Sequence, residues 1–204
     1  SFHGKEERDL AGRYVCPGFI DSHLHLESTL VTPAELVTAA SRHGTTTFIV
    51  DPHESANVSG LAGIDYILDQ TEDVKANVYV MMPSCVPATA IDDNGCTLTA
   101  EDMVPYLHNS RILGLGEVMD SISVVQGEKS MHDKLELFEG RIRDGHAPFL
   151  EEGDLQAYAM AGIATDHECS FFDYAMRERR NGLTILVREG SAARNLEALV
   201  GGLV

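Results

Sequence analysis

Tryptophan, closely spaced cysteine pairs and long apolar runs are all missing from this sequence of 204 residues. No apolar run approaches the ~20 residues that a helix needs to cross a bilayer, so we predict no membrane span. The four cysteines include no Cys-x-x-Cys pair, and the polar first seven residues lack the pattern of a secretory signal. We therefore expect reduced thiols and a cytoplasmic protein.

Positive charge is also scarce. The chain has 15 Lys and Arg against 32 Asp and Glu, which gives a formal net charge of -17. A surface of this sign repels phosphate backbones, so we predict that nucleic acid is not a partner. The charge is compatible with cation binding, although most acidic residues of a soluble protein only keep its surface solvated.

The length fits one domain with a sizeable core, whereas a complete eight-stranded α/β barrel typically needs ~250 residues. Apolar, β-branched runs alternate with segments of helical periodicity, which predicts βα units and a parallel sheet. The predicted strands are 18–23, 46–50, 77–82, 112–117, a short strand ending at His146, 162–167 and 183–188. The sequence therefore predicts an α/β fold with about seven βα units.

Cap residues predict where several helices begin and end. Thr32 followed by Pro33 is a typical helix start, and Thr99 with Asp102 three residues later is another. A later helix is expected to stop at 181–182, and Ser191 is expected to cap the last helix. The charge-rich segment 128–143 has helical spacing, which predicts a solvent-facing helix.

Side chains that can bind metals follow the ends of most predicted strands. They are His23 and His25, Asp51 and His53, Glu117, His146, and His167. In an α/β barrel the carboxyl ends of the strands meet at one face, where active sites are built. Five of the nine histidines lie at these ends, so we predict that these residues share one site.

The pair His23 and His25 is the sharpest local signal. Residues two apart in a strand point to the same side, so both imidazoles are expected to face the barrel interior. Two imidazoles aimed at one point suit a divalent metal. Glu117 ends an apolar strand, and a buried carboxylate requires a metal or a cationic partner. Taken alone, Glu117 also fits a salt-bridged or helix-capping glutamate.

The remaining candidates are weaker when each is taken alone. His146 and His167 individually fit ordinary core or surface histidines, and only their shared position at strand ends favours metal binding. Asp51, His53 and Glu54 follow the second strand, and three roles are open to them. They could bind an additional metal, orient the metal ligands, or cap the next helix.

Several motifs resemble the metal-dependent amidohydrolase superfamily. Residues 17–25, PGFIDSHLH, resemble its first-strand signature. Nearly the whole chain resembles the adenine deaminase branch of this superfamily. The motifs that carry the resemblance are HLES (25–28), HGTTT (43–47), DPHE (51–54), PSCVPAT (83–89), GLGEVM (114–119), DGHAP (144–148), DHEC (166–169) and REGSAARN (188–195). The resemblance implies an incomplete TIM-like (β/α)8 barrel of the amidohydrolase type over residues 16–204, preceded by a remnant of a small β-domain over residues 1–15.

The resemblance also implies a chemistry. It implies two divalent metal ions, manganese or iron, with zinc as a further candidate. His23 and His25 would hold one ion and His146 and His167 the other, with Glu117 as the bridge between them. A metal-activated hydroxide would attack C6 of adenine to give hypoxanthine and ammonia, a reaction of purine salvage. A homo-oligomer, such as a dimer, is expected.

Other implications concern the substrate and the end of the sequence. Ser84, Arg188 and Ser191 are positional candidates for contacts with the purine ring, although each also fits a helix cap. The superfamily has an essential aspartate after an eighth strand, and the sequence up to Val204 shows neither. We therefore expect the 204-residue chain alone to be inactive. Two alternatives are an amidohydrolase that acts on another amino-heterocycle or cyclic amide, and a non-catalytic metal-binding fragment.

Overall fold

The computed structural model describes residues 3–201. Ser1 and Phe2, at the start of the predicted domain 1–15, lie outside the described residues. Residues 202–204, at the end of the predicted domain 16–204, also lie outside them.

Parallel strands form the centre of the molecule. They are β1 (Phe19–Leu24), β2 (Thr45–Val50), β3 (Asn77–Met82), β4 (Ile112–Val118), β5 (Ile142–Gly145), β6 (Thr165–Asp166) and β7 (Thr184–Ile185). The first five make one sheet in the order β1-β2-β3-β4-β5, and β6 pairs with β7. All pairings are parallel, so the predicted α/β class and the seven strands are confirmed.

The two sheets follow one another around the same curve. The amide of Ala164 donates to the carbonyl of Arg143 across the gap between β5 and β6, at 2.9 Å. The five-stranded sheet with the following pair is therefore an open, partial barrel, with the carboxyl ends of its strands at one face. This agrees with the predicted barrel of about seven βα units.

Helices follow most strands and cover the outside of the sheet. In the described part of the chain they are α1 (Pro33–Ser41), α2 (His53–Ser59), α3 (Leu61–Gln70), α4 (Ala100–Met103), α5 (Ser121–Gln126), α6 (Lys129–Leu137), α7 (Glu152–Met160), α8 (Phe172–Arg180) and α9 (Leu196–Val200), with 3₁₀ helices at Glu27–Thr29 and Val104–His108. No helix among residues 3–201 is long and apolar enough to cross a membrane.

The structure contains the side-chain caps that were predicted at the starts of two helices. The Thr32 hydroxyl accepts from the amide of Glu35, and Pro33 occupies the first helical position of α1. Thr99 and Asp102 form a reciprocal capping box at α4. These bonds satisfy amides that have no partner within the helix, which fixes where each helix begins.

The main core lies between the sheet and the helices. Strand residues such as Phe48, Val80 and Leu115 are buried together with Ile64 of α3 and Leu155 of α7. The central strands β3 and β4 are mainly apolar and buried because helices cover one face and side chains fill the barrel interior at the other. This packing holds the strand ends in a fixed arrangement.

Two local predictions were wrong. Ser191 does not cap the last helix, because residues 189–194 form a turn closed by a bridge between Glu189 and Arg194, and α9 follows Asn195 instead. The segment 128–143 is not a solvent-facing helix throughout. Its helix, α6, ends at Leu137, and Lys134 is buried, with its ammonium group 2.7 Å from the carbonyl of Ser84.

Residues 3–15 contain no helix or strand, and Tyr14 and Val15 are exposed. Their assignment to a separate small β-domain stays a prediction.

Candidate metal centre

The carboxyl ends of the strands bring six predicted residues into one cluster. They are His23 in β1, His25 directly after β1, His53 after β2, Glu117 in β4, His146 after β5 and His167 after β6. Five different strands supply them, as the curvature of the parallel sheet requires. Glu117 and His167 are almost fully buried, and the other four are partly buried.

Hydrogen bonds fix the orientation of His23 and His25. Nδ1 of His23 lies 2.8 Å from Oδ2 of Asp144, and Nδ1 of His25 lies 2.8 Å from the carbonyl oxygen of Asp51. A carbonyl oxygen can only accept, so Nδ1 of His25 is the protonated nitrogen, and a carboxylate partner favours the same tautomer in His23. Both Nε2 atoms are then left with a lone pair.

Those two Nε2 atoms lie 3.2 Å apart. Two lone pairs at this distance repel each other unless a proton or a cation lies between them. Two nitrogen ligands on one divalent metal, with bonds of ~2.1 Å, are separated by about 3–3.5 Å. The His23–His25 pair therefore fits a shared metal ion.

Glu117 is the residue on which the cluster converges. Its Oε1 lies 3.4 Å from Nε2 of His25 and 2.9 Å from Nδ1 of His53. Its Oε2 lies 2.8 Å from Nδ1 of His146 and 3.0 Å from Nε2 of His167. One carboxylate thus faces histidines from four strands, and each of its oxygens is directed to a different pair. This division suits a bridging ligand between two cations.

Charge and burial shift the pKa values of the central groups. Burial alone would raise the pKa of Glu117, but hydrogen bonds from His146, His167 and His53 hold it far below its usual range. Burial lowers the pKa of His53, yet the Glu117 hydrogen bond and the Asp51 charge raise it to about 9. Burial and the Glu117 charge raise the pKa of Asp51 to about 7. Without cations, protons therefore balance this buried charge.

Asp51 and His53 have a second connection to the centre. Oδ2 of Asp51 accepts from the amide of Glu117 at 2.7 Å, which ties the end of β2 to the end of β4. Oδ1 of Asp51 is buried without a hydrogen-bond partner and lies 3.8 Å from Nδ1 of His53. Asp51, His53 and Glu117 also form a group of three that could hold a cation.

The other predicted residues lie further from the centre. Glu54 is exposed and accepts a hydrogen bond from Ser28, and it belongs to none of the groups able to hold a metal among the described residues. Ser84 is buried, and its hydroxyl donates to the carbonyl of Glu117 at 2.6 Å. Ser191 is exposed in the turn before α9. The structure does not bring Glu54 and Ser191 into the cluster.

Arg188 lies at the rim of the centre, where it pairs with Glu168, a residue that the sequence did not single out. Its guanidinium donates to Oε1 of Glu168 at 2.6 Å, and the same oxygen lies 3.5 Å from Nε2 of His167 and 3.8 Å from Nδ1 of His146. Nε of Arg188 is buried without a hydrogen-bond partner. An ion pair with an unused donor thus adjoins the centre.

Asp144 and Glu168 are the functional candidates that sequence reasoning missed. Asp144 precedes His146 by two residues, and side chains two apart share a side near a strand end. This spacing was a usable signal for Asp144. Glu168 directly follows His167 in an irregular loop, where no periodicity indicates direction.

The donor set suits hard and borderline divalent cations. Overlapping groups of three ligands are His23, His25 and Glu117; His23, Asp144 and His167; and Glu117, His146 and His167, beside the Asp51 group above. Imidazole nitrogens and carboxylate oxygens bind manganese, iron and zinc alike. The residues present therefore fit a centre for more than one divalent cation.

Known proteins share this arrangement of motifs. The model of the Amidohydrolase family matches residues 14–195. The chain belongs to the amidohydrolase family. Amidohydrolases depend on metals, in agreement with the cluster at the strand ends.

Curated relatives of this amidohydrolase match nearly all of its length. The chain is 60% identical over 202 residues to a protein named adenine deaminase from Desulfitobacterium hafniense (strain Y51). It is 47% identical over 204 residues to an adenine deaminase from Clostridium acetobutylicum. It is 46% identical over 195 residues to "Adenine deaminase 2" from Carboxydothermus hydrogenoformans. These matches cover 99%, 99% and 96% of the chain, but only 36%, 36% and 34% of the respective relatives.

Proposed function

We propose that the protein to which this chain belongs is an adenine deaminase, which converts adenine and water to hypoxanthine and ammonia. The observation that carries the proposal is the position of Glu117, whose two oxygens face histidines from four strands. The high identity to proteins named adenine deaminase selects this substrate among those of the family.

In the proposed centre, His23 and His25 hold one divalent cation and His146 and His167 hold a second. Glu117 would contribute a carboxylate oxygen to each of them, and Asp51 with His53 would contribute to a further cation position. When bound, the cations supply a nucleophile at neutral pH by acidifying water. Manganese or iron is the proposed metal, with zinc as a further candidate.

The chain's own residues contribute orientation and charge. Asp144 fixes the tautomer of His23, so that Nε2 presents its lone pair to the centre. The Glu168 carboxylate, paired with Arg188 at the rim, offers an acceptor to which the amino group of an amino-heterocycle would donate. The Ser84 hydroxyl donates a hydrogen bond to the backbone carbonyl of Glu117 and so helps to hold this residue in place. We retain Ser191 only as a candidate for loop contacts with the substrate.

The biological setting is also part of the proposal. The proposed protein is a homodimer in the cytoplasm and does not bind nucleic acid. The net charge of -17 supports the exclusion of nucleic acid, and the free cysteines at all four positions fit the cytoplasm. Size measurements by light scattering test the dimer directly, and fractionation of cells tests the location.

The experiment uses the longest natural protein that contains this sequence, purified and loaded with manganese. We expect ammonia release from adenine with stoichiometric hypoxanthine, and loss of turnover by roughly a hundredfold or more in Glu117→Gln. Tyr66→Phe, at a half-exposed side chain of α3 with no role in the proposed centre, serves as the control, with an effect of less than about threefold. Turnover of a cyclic amide or ureide, with none of adenine, would overturn the substrate assignment.

The isolated 204-residue chain is a separate case. It spans about 36% of the length of its curated relatives, and we propose that by itself it binds metal but releases ammonia from adenine only near the background rate. Turnover comparable to that of a full-length relative would contradict this. Metal analysis of the same sample distinguishes a metal-binding chain from one that does not fold.

A further inference from the structure

A second cluster of metal-competent side chains lies apart from the centre described above. It consists of Asp166 at the end of β6, Cys169 in the following loop and Glu178 in α8. All three side chains are 0% exposed. A small apolar group, formed by Tyr174, Ala175 and Leu199 around Cys169, encloses the cluster.

The three side chains converge on one point. One ligand atom from each lies within 4.8 Å of those from the other two. Sγ of Cys169 lies 3.4 Å from Oδ2 of Asp166 and donates a short hydrogen bond to Oε2 of Glu178. The Glu178 carboxyl group is therefore directed into the cluster from α8, opposite the strand end.

Within the described part of the chain, no basic side chain balances these two acids. Among residues 3–201, neither Asp166 nor Glu178 forms a salt bridge with a lysine, an arginine or a histidine. Asp166 is stabilised instead by the backbone amides of Ala147, Glu168 and Cys169. Glu178 has no such support, and its Oε1 is buried without any hydrogen-bond partner. A buried, unpartnered carboxyl oxygen is costly, and a cation would remove that cost.

We propose that Asp166, Cys169 and Glu178 form a separate structural site for one divalent cation, and that zinc suits it best. A thiolate with two carboxylates is a donor set that zinc accepts, whereas manganese disfavours the soft sulfur ligand. Ligands around tetrahedral zinc lie about 3.3–3.8 Å apart, and the Sγ–Oδ2 separation falls in that range. The contact between Sγ and Oε2 of Glu178 is shorter than that range, so it must lengthen when the cation replaces the thiol proton.

Binding at this site exchanges protons for the cation. The Cys169 thiol releases its proton to solvent and becomes the thiolate ligand. Burial and the Asp166 charge raise the pKa of Glu178 to about 8, so its carboxyl group also releases a proton when the cation enters. The site joins the loop after β6 to α8 and thereby supports the backbone that carries His167. The inference itself does not depend on the proposed deaminase activity.

Cobalt substitution tests the site, because a thiolate bound to cobalt gives a charge-transfer absorption band that imidazole and carboxylate ligands do not give. The chain is prepared with Cys16→Ser and Cys96→Ser to remove the two accessible thiols. We expect the band to appear during titration with cobalt and to level off at an intensity that corresponds to one thiolate-bound cobalt per chain. Cys169→Ser should abolish it, while Cys85→Ser, at the other buried cysteine, should leave it unchanged.

Two further variants keep the test decisive. Glu178→Gln preserves shape and the thiol, and should weaken cobalt or zinc affinity at this site by roughly tenfold or more. His25→Ala should lower total metal content without affecting the band, which separates this site from the histidine centre. No band in the starting protein, a band retained in Cys169→Ser, or unchanged affinity in Glu178→Gln would each overturn the proposal.

Discussion

Replacing Tyr158 by phenylalanine should destabilise the fold by removing one hydroxyl that joins two strand ends of the metal centre. Tyr158 lies in α7 and is fully buried. Its hydroxyl donates to the carbonyl of Val118 at 2.6 Å and accepts from the amide of His146 at 2.9 Å. The ring itself remains in the variant, so no large cavity forms and the effect reports on the hydroxyl.

The magnitude follows from the two groups that lose their partner. The Val118 carbonyl lies on a fully buried residue, and the His146 amide is partly buried. An unsatisfied buried backbone group costs ~1–3 kcal/mol, with the lower end expected for a partly buried one. We therefore expect Tyr158→Phe to lower the free energy of unfolding by about 2–4 kcal/mol.

Urea denaturation followed by circular dichroism measures this change, in the presence of a chelator so that metal binding does not contribute. Tyr66→Phe is the matched control, because Tyr66 lies on α3 with about half of its side chain exposed, and its change should stay within ~0.5 kcal/mol. A loss below ~0.5 kcal/mol in Tyr158→Phe would refute the reasoning that its hydroxyl holds the two strand ends.

Three other predictions address the site and its surroundings. A Cβ at Gly116 would overlap the Asp51 carboxylate, so Gly116→Ala should weaken metal binding measured by calorimetry, whereas Gly153→Ala in open space on α7 should preserve it. The pKa of Glu178 is raised from 4.5 to about 8, so the folded chain retains a proton on this carboxyl group that the unfolded chain loses. The stability of the cation-free chain should therefore fall as pH rises from about 4.5 to 8. The urea midpoint of Glu178→Gln should depend less on pH, and the same dependence in both proteins would count against this reasoning. Manganese at one hundred times its Kd should stabilise the folded chain by ~2.7 kcal/mol per site, which thermal denaturation detects as a rise in melting temperature. In Glu117→Gln this rise should be smaller.

The sequence predicted the part of the fold that depends on strong local patterns. The strand 77–82 has the same bounds in the structure, since a β-branched apolar run between helical segments allows few alternatives. The cluster of His23, His25, Glu117 and His167 was predictable because parallel strands must present their carboxyl ends at one face. Strand order and direction thus converted positions in the sequence into proximity in space.

The remaining features depend on contacts that no local pattern encodes. Lys134 is buried because the Ser84 carbonyl accepts from its ammonium group across 50 residues of sequence. Ser191 has the chemistry of a helix cap, yet Asn195 precedes α9, because the Asn195 amide and side chain bond to the backbone of Arg188 and close the turn between them. Both outcomes follow from tertiary hydrogen bonds that compete with local preferences.

Competition between protons and cations links the chemistry of the centre to its position in the fold. Asp51 and His53, with pKa values raised to about 7 and about 9, retain protons near neutral pH when no cation is bound. Those protons occupy lone pairs that a metal needs, so each cation that enters must release them. The Glu117 carboxylate favours both occupants, because its negative charge attracts the proton on His53 as well as the cation. What favours the cation is geometry: the strands hold the Nε2 atoms of His23 and His25 3.2 Å apart, a distance that one metal satisfies with two bonds and one proton with a single bond.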